Sequence, residues 1–154
     1  MLEFSDEEIK NYKENDIFFK ILFNQKDEVV RLINDEFKTN FKKDEIEKYE
    51  TEYISKRINS KNAIAVYKIK DKNIFILIEH QREVDYFLAN KIAYHQLIIM
   101  NSVFAESDCS KELKIPKIWP IVLYTGDKKW DAPKELEKRP LLNDIIVTQI
   151  EDIE

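Results

Sequence analysis

The N-terminal part of the chain alternates hydrophobic and polar positions with a helical period. Ser5 and Glu8 form a helix-capping pattern, and apolar residues recur at helical spacing from there to Phe37. The polar segment 24–27 interrupts this stretch, which is therefore predicted to contain two helical parts. Residues 42–50 are charged and poorly periodic, and they favour a solvated loop or a short helix.

The centre of the chain has the pattern of a β-hairpin. Two sets of residues alternate in the first strand, Ala63, Ala65, Tyr67 and Ile69 on one face and Asn62, Ile64, Val66 and Lys68 on the other. Residues 74–78 are almost continuously apolar, as in a strand buried on both faces. A two-residue turn at Asp71-Lys72 would join the two strands. The register of that hairpin places Ile64 opposite Glu79.

A helix and another strand are predicted after the hairpin. The helix is expected from a cap at Asp85 to about Phe104, and a polar loop at 107–114 follows it. Residues 118–124 form the next strand candidate, in which Pro120 indicates an edge position or a bulge. The order helix, strands, helix, strand predicts one compact α/β domain over residues 1–154.

Composition narrows the class of protein. The chain has 154 residues, of which 44% are hydrophobic and 36% charged, and its single cysteine, Cys109, excludes a disulfide framework. Neither a run of 18 apolar residues nor a secretory leader is present, since the N-terminus is acidic and polar. These features predict a soluble cytoplasmic protein with no membrane partner.

The net charge of −5 is unevenly distributed. Residues 1–50 carry a balance of −5, residues 51–130 a balance of +4, and residues 131–154 a balance of −4. A basic middle segment is suited to a local contact with a polyanion, although lysine-rich solvated faces are common in such compositions.

Glu79 is the most informative single residue. It follows the most apolar strand, on the same face as Leu77 and Gln81. The simplest interpretation is a solvated strand end where the carboxylate pairs with a lysine. A magnesium site would need a second carboxylate opposite Glu79, where the predicted register places Ile64. The nearest polar neighbour on that face is Asn62.

Three segments together resemble one known family. They are Asp16-Ile-Phe-Phe-Lys-Ile-Leu-Phe23, Phe75-Ile-Leu-Ile-Glu-His-Gln81 followed by Val84-Asp85-Tyr86, and Ile118-Trp-Pro-Ile-Val-Leu-Tyr-Thr-Gly-Asp-Lys-Lys-Trp130 with Ala132-Pro133. They resemble the Rpn family of recombination-promoting nucleases, also called YhgA-like putative transposases, in the PD-(D/E)XK nuclease superfamily. The match covers about residues 16–136. Relatives continue beyond Glu154, so residues 137–154 look like a truncated C-terminal extension.

The resemblance implies a restriction-endonuclease-like αβββαβ core and metal-dependent cleavage of DNA. In such a site Glu79 would bind Mg²⁺ or Mn²⁺, and the His80 backbone carbonyl would add a third ligand. Gln81 would orient the attacking water or the phosphate. The cation would neutralise phosphate charge and lower the pKa of water.

This chain departs from the family pattern at three positions. The strand aspartate expected in similar members aligns with Ile64, and an arginine and a tyrosine of the following helix align with Lys91 and His95. Lys91 keeps the positive charge but lacks the bidentate guanidinium. Several residues remain candidates for the missing ligand: Asn62, Asp16, Glu14, Glu50, Glu52 and Asp85.

Other functional features are weaker. Cys109 lies in a polar loop without a nearby histidine, and His80 and His95 lack the cysteine partners of a zinc site. Trp119 and Trp130 favour packing over base stacking. The candidate DNA-binding residues, for which a solvated face is the alternative, are Lys56, Arg57, Lys61, Lys68, Lys70, Lys72 and Lys91.

Three hypotheses follow. The chain is a metal-dependent DNA endonuclease of mobile-element type, with activity weakened or lost through Ile64. Alternatively, it is an inactive binding or regulatory relative that pairs with itself or with a full-length paralogue. The third hypothesis is a truncated mobile-element remnant that folds without a selected role.

Overall fold

The computed structural model describes residues 25–58, 64–107 and 114–135. Several residues singled out above lie outside these ranges, namely Glu14, Asp16, Lys61, Asn62 and Cys109, together with the first predicted helix and the segment 137–154. No described helix is both long and apolar enough to cross a lipid bilayer.

Helix α1, Lys26–Phe37, is the second of the two predicted helical parts. Val29 and Ile33, one turn apart, are fully buried and anchor the helix to the sheet. The helix ends at Lys38, which adopts a left-handed conformation with φ 54°. The Asn34 side chain then bonds both the N–H and the carbonyl of Phe41, which fixes the turn that follows.

The charged segment 42–50 was predicted as a loop or short helix, and this is only partly right. It forms a single 3₁₀ turn at Lys43–Glu45 and then strand β1, Ile46–Lys48. Only Ile46 of that strand is buried. A three-residue strand with one buried residue is too short to show an alternating hydrophobic pattern in the sequence. A short helix not predicted from sequence follows, α2, Glu52–Arg57, whose N-cap Thr51 accepts the Ile54 N–H.

Strands β2, Ile64–Ile69, and β3, Ile74–Gln81, form the predicted antiparallel hairpin. Its register is confirmed, since Ile64 pairs with Glu79. The connection is longer than the predicted two-residue turn, because the ladder closes at Ile69 and Ile74 and leaves four residues between them. Within that loop Asp71 takes a positive φ of 59°.

Helix α3, Leu88–Glu106, starts later than predicted. The Asp85 carboxylate accepts the Phe87 N–H in the turn before the helix, so Asp85 lies outside the cap position itself. Strand β4, Lys117–Tyr124, then runs parallel to β3. In the described sheet Pro120 belongs to an edge strand, as predicted, because β4 pairs with β3 alone.

The sheet has the order β1-β2-β3-β4 and separates two apolar layers. On one face α1 packs against Tyr67, Ile76 and Ile78. On the other face α2 and α3 cover Val66, Phe75 and Leu77. The predicted burial of β3 on both faces is confirmed. The fold is thus α/β, a four-stranded mixed sheet flanked by helices, consistent with a restriction-endonuclease-like core.

Candidate functional site around Glu79

Glu79 lies inside the protein, on the face of β3 that α3 covers. The strand continues two residues beyond it to Gln81, and only 2% of Glu79 is exposed. The simplest sequence interpretation, a solvated strand end paired with a lysine, is therefore wrong. A carboxylate at this depth needs a hydrogen-bond or ionic partner, because water cannot compensate its charge.

That partner is His95 on α3. Its Nδ1 lies 2.8 Å from the Glu79 Oε2, and the side chains are only 10% and 3% exposed, respectively. With Glu79 ionised the carboxylate only accepts, so Nδ1 of His95 carries the proton of this hydrogen bond. The site is thus a buried acid–imidazole pair joining β3 to the centre of α3.

Sequence reasoning assigned no role to the His95 side chain, although a signal for it was present. Leu88, His95, Ile99 and Ser102 are all buried, and their spacing of three, four and seven residues places them on one helix face. A histidine on an otherwise mostly apolar helix face is expected to be buried and therefore to need a hydrogen-bond partner. The carboxylate of Glu79, which the sequence places on a buried strand, is such a partner.

The position opposite Glu79 is aliphatic. Ile64, its antiparallel partner, packs against the apolar cluster under α2 and α3. On the other side of β3, Val122 of β4 is level with Glu79. Neither cross-strand neighbour supplies an oxygen ligand.

The other predicted ligands are distributed differently. Gln81 is half-buried and lies two residues beyond Glu79 on the same face of β3, which brings it to the same edge of the site. The His80 side chain points to the opposite face, where its Nε2 lies 2.7 Å from the Thr125 hydroxyl. His80 is also buried, with 7% of its surface exposed.

Two of the acidic residues considered as replacement ligands, Asp85 and Glu52, have ion-pair partners elsewhere. The Asp85 carboxylate pairs with Lys91, and this hydrogen bond lowers the pKa of Asp85. Glu52 pairs with Lys56 at 2.7 Å within α2. Residues 25–58, 64–107 and 114–135 contain no group of three or more His, Cys, Asp or Glu side chains that could hold a metal ion.

The described residues around Glu79 therefore do not fit a magnesium site. Mg²⁺ requires near-octahedral coordination by oxygen atoms, and here one carboxylate oxygen is engaged by an imidazole while an isoleucine fills the opposite position. The Glu79 carboxylate is instead compensated within the protein, because it accepts a hydrogen bond from a buried imidazole and lies beside an aliphatic side chain.

Four of the predicted DNA-binding residues have specific contacts within the described part of the protein. Lys56 and Lys91 are each ion-paired, and the Arg57 guanidinium lies 3.5 Å from the centre of the Tyr53 ring. Lys68 lies on β2 with its ammonium 5.9 Å from the centre of the Phe75 ring.

The two tryptophans have aromatic neighbours within the fold. Trp119 lies 4.8 Å from Phe37, and Trp130 lies edge-on to Tyr124 at 5.1 Å. These contacts accord with packing roles.

Comparison with known proteins places these observations in context. A family model described as "Putative transposase, YhgA-like" matches residues 13–152, nearly the whole chain. No curated protein and no solved structure matches the chain.

Proposed function

Because the chain belongs to the family of YhgA-like putative transposases, we propose that it is a DNA-associated relative of metal-dependent endonucleases whose phosphodiester cleavage is weakened or lost. The observation that carries this proposal is the environment of Glu79. Its cross-strand partner is Ile64, and its carboxylate is bonded to His95.

The physical reason concerns metal affinity. Carboxylate oxygens dominate the protein ligands of Mg²⁺, and two of them at adjacent strand positions form a natural clamp for the cation. Glu79 has no second carboxylate beside it on the adjacent strands, because its described cross-strand neighbours are Ile64 and Val122. The internal hydrogen bond from His95 further lowers the tendency of the carboxylate to bind a cation.

An inactive binding or regulatory protein is the alternative, acting with a second copy or with a full-length paralogue, and a truncated mobile-element remnant is the third possibility. The same observation favours both over an efficient nuclease. The distinction is experimental: the regulatory protein retains DNA binding or pairing without cleavage, whereas the remnant has neither.

A gain-of-function variant tests the proposal. Cross-strand neighbours in a sheet have Cβ atoms about 5 Å apart, so an aspartate at position 64 places two carboxylates within reach of one cation. We expect Ile64→Asp to bind Mg²⁺ more tightly than the wild type. Ile64→Asn is the matched control, because asparagine has nearly the shape of aspartate but carries no charge. This variant should not bind Mg²⁺ more tightly than the wild type.

Thermal stability provides the readout. If the Ile64→Asp variant binds Mg²⁺ with a dissociation constant of about 1 mM, about 10 mM Mg²⁺ stabilises it by about 1.4 kcal/mol. For a chain of this size that is a rise in Tm of roughly 3–6 °C, absent from the wild type and from Ile64→Asn. Adding Glu79→Ala to Ile64→Asp should abolish the shift.

Nicking of supercoiled plasmid with Mg²⁺ or Mn²⁺ tests catalysis directly. We expect the wild type to show little or no nicking that depends on Glu79, with Glu79→Ala as the control. Efficient nicking by the wild type that disappears in Glu79→Ala would refute the proposal that cleavage is weakened or lost. Unchanged Mg²⁺ affinity in Ile64→Asp would refute the role of the Ile64–Glu79 pair.

A further inference from the structure

Five lysines lie together at the turn end of the β2–β3 hairpin, and all five are exposed. They come from three segments that backbone and side-chain hydrogen bonds join: residues 42–45, residues 70–73 and residues 114–117. We call this set the hairpin-end lysines; its members are Lys42, Lys70, Lys72, Lys114 and Lys117.

Specific contacts fix the three segments to one another. The Lys70 N–H donates to the Glu45 carbonyl at 2.7 Å, which joins the turn to the 3₁₀ segment. The Lys117 N–H donates to the Asn73 carbonyl at 2.9 Å, which joins the turn to the start of β4. The Asn73 side chain also donates to the Lys114 carbonyl. The lysines therefore project from a rigid end of the sheet.

The ammonium groups of the hairpin-end lysines are not neutralised by nearby carboxylates. In the described part of the protein none of their five ammonium groups is ion-paired, whereas Lys56, Lys91 and the neighbouring Lys43 each contact a carboxylate. The Lys72 ammonium lies 5.2 Å from the centre of the Phe41 ring, which orders the side chain without neutralising it.

The acidic residues of the same region are fewer. The three segments contain six lysines, including Lys43, against Asp44, Glu45 and Asp71. The Glu45 carboxylate accepts the Lys42 backbone N–H at 2.6 Å, so it is already engaged by the backbone of its own segment. Since the whole chain has a net charge of −5, this end of the sheet is a local reversal of the overall sign.

The lysines lie far from Glu79. Five residues of β3 separate Ile74, beside the turn, from Glu79, which corresponds to roughly 17 Å along the strand. A ligand held at the hairpin end would therefore not need the Glu79–His95 pair.

We propose that the hairpin-end lysines form a contact surface for the phosphate backbone of duplex DNA, which acts independently of Glu79. This inference rests on the proposed association with DNA. The end of the four-stranded sheet is about 14 Å wide. Because a duplex of that length carries about eight phosphate charges, several ammonium groups can each contact a phosphate. The surface offers charge without aromatic platforms, which suits backbone contact rather than base readout.

Two quadruple variants with the same change in charge test the proposal. The first removes hairpin-end lysines: Lys42→Gln, Lys70→Gln, Lys72→Gln and Lys117→Gln. The control removes four exposed lysines that belong neither to the hairpin-end set nor to the predicted DNA-binding residues: Lys48→Gln, Lys128→Gln, Lys129→Gln and Lys134→Gln. Binding of each to a fluorescent duplex of about 20 base pairs is measured by anisotropy between about 50 and 200 mM salt, with circular dichroism to confirm folding.

Counterion release sets the expected effect. Each phosphate contact contributes about 0.9 to the slope of log affinity against log salt, so loss of four contacts should reduce the slope by about 3 to 4. We expect at least a tenfold loss of affinity at about 100 mM salt for the first variant. The control should keep the wild-type slope and lose less than about twofold.

The outcomes are distinguishable. No binding of duplex DNA by the wild type would refute the proposed function itself. Wild-type binding that both variants weaken equally, or that only the control variant weakens, would refute the hairpin-end surface and leave the proposed function standing. Tighter binding of an RNA duplex than of the DNA duplex would overturn the assignment to DNA.

Discussion

Replacing His95 by alanine would leave the Glu79 carboxylate buried without its donor. The two side chains are only 10% and 3% exposed, so water does not readily take the place of the imidazole. Leaving a buried polar group without its hydrogen-bond partner typically costs about 1–3 kcal/mol, and more when that group is charged. We therefore expect His95→Ala to lose about 3 kcal/mol of unfolding free energy at pH 7.

Urea unfolding followed by circular dichroism measures the effect. With a denaturant slope of about 2 kcal/mol per molar, a loss of 3 kcal/mol lowers the midpoint by about 1.5 M. Gln96→Ala, which removes the neutral hydrogen bond to the Ile118 carbonyl on the same helix, is the matched control and should lose only about 1 kcal/mol. The reasoning fails if His95→Ala costs no more than Gln96→Ala.

Two further predictions concern the scaffold. Burial raises the pKa of Tyr67, so its contribution to stability is present below its ordinary value of 10.0 and is lost as pH rises above it. Urea unfolding between about pH 9 and pH 11 should show a shallower fall for Tyr67→Phe than for the wild type; equal slopes would contradict this. Thr51→Ala, which removes the α2 cap and a 2.6 Å contact with the Ser102 hydroxyl, should cost about 1–2 kcal/mol in urea, and Thr51→Ser distinctly less.

The hairpin shows what the sequence can determine. The register predicted from a two-residue turn at Asp71-Lys72 pairs Ile64 with Glu79, and the structure has this pairing, which also keeps the apolar residues of β2 and β3 buried. The turn was less accessible, because a four-residue loop with Asp71 at positive φ preserves the register of a two-residue turn. Register depends on the burial of many side chains, whereas turn type depends on one or two backbone angles.

The candidate site was only partly predictable for a related reason. Glu79 was identifiable because a carboxylate after an apolar strand is unusual. Its depth and its partner depend on how α3 crosses the sheet, which brings residues sixteen positions apart to within hydrogen-bond distance. Strand β1 was missed because only one of its three residues is buried, so no local pattern distinguishes it from a charged loop.

Pro120 in β4 has a consequence for the alignment of the parallel strand pair. A proline nitrogen has no hydrogen to donate, so it is tolerated only on the outward side of an edge strand. A slip of β4 by one residue along β3 would turn that nitrogen toward β3 and would move Ile121 out of the apolar layer it shares with Ile78. Pro120 therefore restricts sliding of β4 along β3. In the register that it favours, the Thr125 N–H donates to the Gln81 carbonyl at 3.0 Å and the Thr125 hydroxyl contacts the His80 imidazole.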